Sequence, residues 1–471
     1  MTIPCVQRLS FVVAGLSFLQ PALTTIQYDN LTLIATALIL GSGFNLSKIS
    51  RMWLAEKSVS TLSHFLSDAK FSTWEMQMLY IMQIQKVYKI TEYFYIIDDT
   101  LNHHSRFCKW IHGIFILFDH VLGTNVKALC IVILYLSDGG LIKCPLSFRI
   151  YYQDTGKVLP WQRRKQLAYQ TKYELAIEML EGIIESGWPH GVVLADSWYG
   201  IRPFIKELSR LNLTYVIEIK ADLLLKTPCQ EPKRTPTGRL TKKQYDLIKV
   251  PAFFRSILLF TRCGFSRDIE TGKKEKVLYY LKIATVRFNA FPGKYRLVES
   301  VDPTKHTTKY LLTNQLTWEA TKIISVYSHR WVIEEFFRNA KQLLDMDGVM
   351  LRSEQGITLA LCLVSWLDFL LHFENHKRST TGELPQEPVT IPSIICQAQY
   401  ENLEGFVECM HNDEDFVHRW CEVEKKNVYR KRKKRKELIK IEDSDREELG
   451  LDHGIGHFRP PKTITARVHR G

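Results

Sequence analysis

Two short apolar runs that each lead into an acid, set around an amphipathic helix, constrain this chain more than any other feature. Tyr93-Phe94-Tyr95-Ile96-Ile97 leads into Asp98-Asp99, and Gly191-Val192-Val193-Leu194-Ala195 leads into Asp196. Continuous apolar runs of this length read as strands covered on both faces. Further strand candidates lie between them, at Ile111 to Phe118 and at Ala128 to Leu136, the latter closed by the turn Ser137-Asp138-Gly139-Gly140. A helix is expected over Tyr173 to Ile184, with Leu175, Ile177, Leu180, Ile183 and Ile184 on one side and Gly187 as its stop. Another helix after Asp196 and a strand at Tyr215 to Ile219 complete a mixed α/β order. Acids at the carboxyl ends of core strands sit where open α/β sheets build their sites, although strand ends are often polar for the plainer reason that the chain is leaving the core.

The remaining sequence divides by texture. Residues 1–90 carry few charges and show mixed three- and four-residue apolar spacing, which predicts a helical domain. Within it Asn45 is placed to cap a helix running to Met52, and Ser58-Val59-Ser60 to begin another towards Phe65. Two short helices in tandem suit either a helix-turn-helix that binds DNA or a simple core hairpin. Residues 91–220 hold the mixed α/β segment, and residues 221–316 return to strand texture at Arg255 to Thr261, Val277 to Val286, Tyr295 to Glu299 and Lys309 to Leu312. Residues 317–376 are helical again, with one long pattern from Thr317 to Leu344 and an apolar one from Ile357 to Phe373. Residues 377–471 combine a Pro-rich linker near Pro385 to Pro392, a short helical patch and a basic tail, and they read as peripheral.

Charge narrows the class of partner. The chain of 471 residues carries a net charge of +13 and a pI near 9.1, which favours a polyanion. Lys425, Lys426 and the unbroken run Arg430 to Lys436 supply most of that surplus, a pattern suited to sequence-independent attraction to phosphate. A mean hydropathy of −0.13 argues against a polytopic membrane protein. The apolar stretches Leu9 to Leu19 and Leu31 to Leu40 are too short to span a bilayer and are read as buried helices. Ten scattered cysteines without a C-x-x-C pair suit a reducing, cytoplasmic compartment. The groups His103, His104, Cys108, His112 and Cys409, His411, His418, Cys421 lack the knuckle spacing of a zinc site.

The most specific chemical signal lies in Tyr327-Ser328-His329-Arg330-Trp331-Val332-Ile333-Glu334, continuing to Lys341. On one continuous helix, at about 100° per residue, Tyr327, Arg330, Glu334 and Lys341 fall in an arc of roughly 60°. A solvated face with an Arg330–Glu334 ion pair would explain the charges. The apolar Trp331, Ile333, Phe336 and Phe337 around them instead imply that this stripe is held against a folded body.

At these residues the chain resembles the DDE transposases of bacterial insertion sequences, in the group whose third acid lies in a Y-x(2)-R-x(3)-E-x(6)-K helix. The resemblance covers residues 92–348. It matches Tyr327, Arg330, Glu334 and Lys341 at the right spacing, Asp99 before Thr100 as the first acid, and Asp196 in Asp196-Ser197-Trp198-Tyr199-Gly200 as the second. Asp98 is the alternative to Asp99, because side chains alternate along a strand. The resemblance implies an RNase H-like catalytic core with an inserted β region between the second and third acids. It implies Asp99, Asp196 and Glu334 as a cage for two Mg²⁺ ions, which Mn²⁺ can replace, with Arg330 and Lys341 on phosphates and Tyr327 on the DNA backbone or a displaced base. The expected activity is cleavage at terminal inverted repeats and strand transfer into target DNA by a homodimer in a synaptic complex, associated with the nucleoid. The rivals are a nuclease that cuts without joining strands and a DNA-binding repressor with a dead core.

Overall fold

The computed structural model describes residues 3–88, 92–140, 142–153, 169–229, 231, 235–237, 239, 245–268, 274–381 and 390–426. Most of the Pro-rich linker and the whole basic run Arg430 to Lys436 lie outside these residues. The chain forms two compact units, one of residues 8–49 and 59–401, the other of the described parts of 1–7, 50–58 and 402–471.

The amino-terminal helices are α1 (Ser10–Gly15), α2 (Thr25–Ile39), α3 (Leu46–Met52), α4 (Val59–Asp68) and α5 (Thr73–Val87). Their starts follow local chemistry. Thr24 and Gln27 form a reciprocal capping box on α2, Asn45 accepts from the Lys48 amide at 3.0 Å ahead of α3, and Ser72 accepts from the Glu75 amide at the head of α5. In the larger unit α1, α4 and α5 pack against α11 (Glu354–Thr381), where Tyr80 and Tyr88 meet Phe369 edge to face at 5.5 and 6.0 Å. Helix α11 is apolar around its circumference, the mark of a helix enclosed by other elements. It is long and apolar enough to cross a membrane, yet its apolar window is 89% buried in the fold.

One ten-stranded sheet organises this unit. Strands β1 (Phe94–His104), β2 (Phe115–Asp119), β3 (Thr124–Ser137), β4 (Lys143–Tyr151), β5 (Val192–Ala195) and β6 (Thr214–Ile219) lead into a two-stranded ribbon of β7 (Leu224–Pro228) and β8 (Tyr245–Lys249). In the sheet β3 runs antiparallel to β1 and carries both β2 and β4 on its other side, while β5 and β6 continue from β1 in parallel. The order β4-β3-β1-β5-β6, antiparallel and then parallel, is consistent with an RNase H-like fold. Helices α6 (Lys172–Glu185) and α7 (Arg202–Arg210) make the two parallel crossovers, the first capped by a Thr171–Glu174 box.

One expectation changes here. Arg255 to Thr261 was expected as a strand, but α8 (Val250–Arg255) ends there, because Pro251 suits a first helical turn and the amides of Ser256 and Ile257 close it onto Phe253 and Phe254. The remaining strands, β9 (Thr261–Asp268), β10 (Lys274–Val286), β11 (Tyr295–Asp302) and β12 (Thr307–Thr313), form an antiparallel meander. Its last strand pairs with β6, so the meander prolongs the central sheet.

In the smaller unit the Cys5 amide donates to the Met52 carbonyl at 2.7 Å. The buried Asn402 amide accepts from the Val6 amide and donates to the Pro4 carbonyl. Phe406 packs there against Phe416 and Trp420.

Candidate active site

The site begins with the pleat of β1. This strand does not end at its acids, as the sequence suggested, but runs on to His104, because β3 keeps pairing with it after β5 has stopped. The last parallel pair is Ile97 with Ala195, so Asp98 and Asp196 are the next residues on the two chains and fall on the same face. Asp99 falls on the other. The carboxylate of Asp196 accepts from the Trp198 amide at 3.0 Å, and the following loop runs tight against β6, where an added Cβ at Gly200 would lie 2.6 Å from the Glu218 carbonyl oxygen.

The helical segment above the Asp98 face is broken. The long helix expected from Thr317 to Leu344 is two helices, α9 (Ala320–Ser328) and α10 (Trp331–Gln342), joined through His329 and Arg330. Both joining residues keep helical dihedrals, but the amides there reach back three residues, His329 to Val326, Arg330 to Tyr327 and Ile333 to Arg330. Three residues per turn replaces 3.6 across the joint, so the angular spacing of one continuous helix does not carry from Tyr327 to Glu334. The β3–β4 turn backs onto the joint. Gly139 has φ +77° and an added Cβ would lie 2.7 Å from the His329 ring, whose other side stacks on Phe94 at 4.4 Å.

Arg330 links the candidate acids. Its Nη1 donates to Asp98 Oδ2 at 2.8 Å and its Nη2 donates to Glu334 Oε1, one turn further along. The guanidinium is 13% exposed and the Asp98 side chain 17%, so this pair is shielded from water. Burial pushes the Asp98 carboxyl up to about 7. That position is the balance of burial and the charges of Asp196 and Asp99, which raise it, against Arg330, which lowers it. Asp196 is raised as well, chiefly by burial. Among the described residues no three His, Cys, Asp or Glu side chains close on one point as they stand. Yet Asp98 and Asp196 share a face, Glu334 is tied to Asp98 through one cation, and hard carboxylate oxygens are the donors a divalent ion of the Mg²⁺ kind takes. The set fits such an ion once Arg330 moves off.

The other expected residues are placed differently. Asp99 Oδ2 accepts from Lys172 Nζ at 2.6 Å and lies 3.7 Å from the buried Cys130 thiol, on the face covered by α6. Tyr327 is buried and donates to Glu218 Oε2 at 2.9 Å, and burial with the nearby carboxylate raises its phenol. Glu218 is paired in turn with Lys309 at 2.8 Å. Lys341 donates to the Leu101 carbonyl at 2.7 Å and lies 3.7 Å from Asp347. Glu335 turns away from Glu334 to pair with Lys143 at 3.0 Å. Sequence reasoning missed Glu218 and Lys172. A charge inside the apolar strand Thr214–Ile219 was a visible signal for Glu218, whereas nothing local to Lys172 pointed across the sheet.

Two family models match the chain. A family model described as DDE superfamily endonuclease matches residues 21–255, which include Asp98, Asp99 and Asp196. A second, described as Transposase DDE domain, matches residues 166–367, which include Asp196, Arg330 and Glu334. No curated protein matches the chain. The two matches support a DDE transposase, a transposase-type nuclease whose family partner is DNA.

Proposed function

We propose that the chain is a cytoplasmic DNA transposase that cleaves DNA at the terminal inverted repeats of an insertion sequence and joins the ends to target DNA. The observation that carries this reading is that Asp98 and Asp196 directly follow the last parallel pair of β1 and β5, with Glu334 brought to Asp98 by Arg330. Two divalent ions, Mg²⁺ or Mn²⁺, would be held by these acids and would supply an activated water or 3′-hydroxyl and a neutralised leaving oxygen. Asp98 is read here in the role expected of Asp99, because Arg330 ties its carboxylate to that of Glu334. Arg330, released from both acids, has a planar donor fork suited to a phosphate of the bound strand. Lys341, near the far end of the same helix, adds a second cation along the path of the DNA. Tyr327 holds Glu218 and steadies α9 rather than touching DNA. The basic run beyond the described residues adds non-specific affinity, and a homodimer would hold two ends in synapsis.

The test is Mg²⁺-dependent nicking and strand transfer on a plasmid carrying the gene with its flanking DNA. Asp196→Asn and Glu334→Gln are expected to lose both reactions by orders of magnitude while binding the same DNA without metal. Nicking retained in Asp196→Asn removes the proposed site. Nicking without joined products in the unaltered protein leaves a nuclease instead of a transposase.

A further inference from the structure

Asp196 lies one residue beyond the end of β5, so no strand pairing fixes its carboxylate. Its orientation depends on the Trp198 amide, which donates to Oδ1 at 3.0 Å. The Trp198 ring meets Tyr199 edge to face at 5.0 Å and is also faced by a cation from the other face of the sheet. The Lys172 ammonium lies 5.1 Å from the centre of the Trp198 ring and 5.7 Å from that of Tyr151, and it is pinned at 2.6 Å by Asp99. The side chains of Lys172 and Asp99 are 18% and 15% exposed, so the ammonium is partly desolvated, the condition in which attraction to an aromatic face is strongest. Asp99, Lys172 and Trp198 therefore form a chain of contacts from the back of β1 round to the loop that aims Asp196.

We infer that Lys172 is a positioning residue for the metal site: anchored by Asp99, it braces the Trp198 ring and so fixes the amide that orients Asp196. This rests on the reading of Asp98, Asp196 and Glu334 as metal ligands. It assigns the neighbouring acid Asp99 to the support of that site. Groups that orient a metal-binding carboxylate change ion affinity by about 10- to 100-fold when removed. The contact has two requirements, a positive charge and a reach across the sheet. Methionine keeps the length of lysine without the charge, and arginine keeps the charge and stacks well on an aromatic ring.

The test is Mn²⁺ affinity of the full chain by calorimetry, with folding checked by circular dichroism and metal-free DNA binding measured in parallel. Lys172→Met is expected to weaken Mn²⁺ binding about 10-fold with DNA binding intact, and Lys172→Arg to restore most of the loss. Trp198→Leu should weaken it similarly, and adding it to Lys172→Met should cost little more, since both break the same brace. Lys172→Met that lowers the melting temperature but leaves Mn²⁺ affinity unchanged at a temperature where it is folded overturns the inference, as does full additivity of the two substitutions. Asp196→Asn serves as the control. If it leaves Mn²⁺ affinity unchanged, the metal site itself is wrong. If it weakens binding while Lys172→Met does not, only the bracing role fails.

Discussion

The two faces of β1 carry adjacent acids with opposite fates. On one face Asp98 meets Arg330, with Asp196 alongside and Glu334 at the other end of the guanidinium. On the other face Asp99 is held by Lys172 beside a buried thiol. Both carboxylates are shielded and both have a cation, so burial and pairing do not distinguish them. The difference is in the company. Several carboxylates gather around one shared arginine on the first face, which leaves negative charge for an incoming cation, while the second face holds one acid matched by one lysine. Adjacent residues on a strand thus meet different partners because the pleat sends them to different layers.

The largest expected effect tests that division directly. Asp98→Asn should reduce Mg²⁺-dependent nicking by orders of magnitude, and Asp99→Asn should leave activity that excess metal largely restores. The reverse result, an inactive Asp99→Asn beside an active Asp98→Asn, would exchange the roles of the faces.

A second test sits higher on the Asp98 face, where Tyr135 of β3 donates to the buried Asp368 of α11 and His372 lies one turn away, 3.8 Å from the same carboxyl. Burial depresses the His372 imidazole to about 3 from an ordinary 6.5. The unfolded chain therefore binds the extra proton first, and this residue makes the fold lose stability as pH falls from about 6.5 towards 3, by up to roughly 5 kcal/mol. Asp368, raised by burial, acts in the opposite sense, its contribution being lost as pH rises from the usual carboxylate range towards its raised folded-state value. Urea unfolding from pH 7 to pH 4 should show that His372→Phe loses less stability on acidification than the unaltered protein, or gains some, and an identical pH dependence would mean that water reaches the imidazole.

Arg330→Gln gives the third effect. Without divalent ions it should cost roughly 2 kcal/mol of stability, less than a full broken buried pair because Asp98 can take up a proton. The same substitution removes a competitor for Asp98 and Glu334, so Mg²⁺ should raise the melting temperature of the variant more than that of the unaltered protein. An equal rise would place the ion elsewhere. The smallest effect is that of Tyr327→Phe, which loses one hydrogen bond to Glu218 and about 1 kcal/mol. DNA affinity should not change, and a loss of affinity without a loss of stability would put Tyr327 back against DNA.

The sequence by itself determined the elements and the inventory of charges. Continuous apolar runs set β1, β3 and β5, the Thr171–Glu174 box set the start of α6, and the order of elements set a mixed sheet, because these patterns are local and each element must bury its own apolar surface. The same reasoning singled out Asp196, Arg330 and Glu334 as candidates, since their types and spacing are visible along the chain. Only the tertiary structure decided that Asp98 meets Arg330 and Asp99 meets Lys172. Alternation says that the two differ, but the face that receives α10 depends on how distant segments pack. The break at His329 and Arg330 was likewise decided by packing: the sequence there is helical throughout, and the joint forms where Phe94 and the Gly139 turn crowd His329. Lys172 follows the same rule, since a lysine at the head of a helix reads as solvated until the fold lays an acid from a strand and a tryptophan from a loop against it.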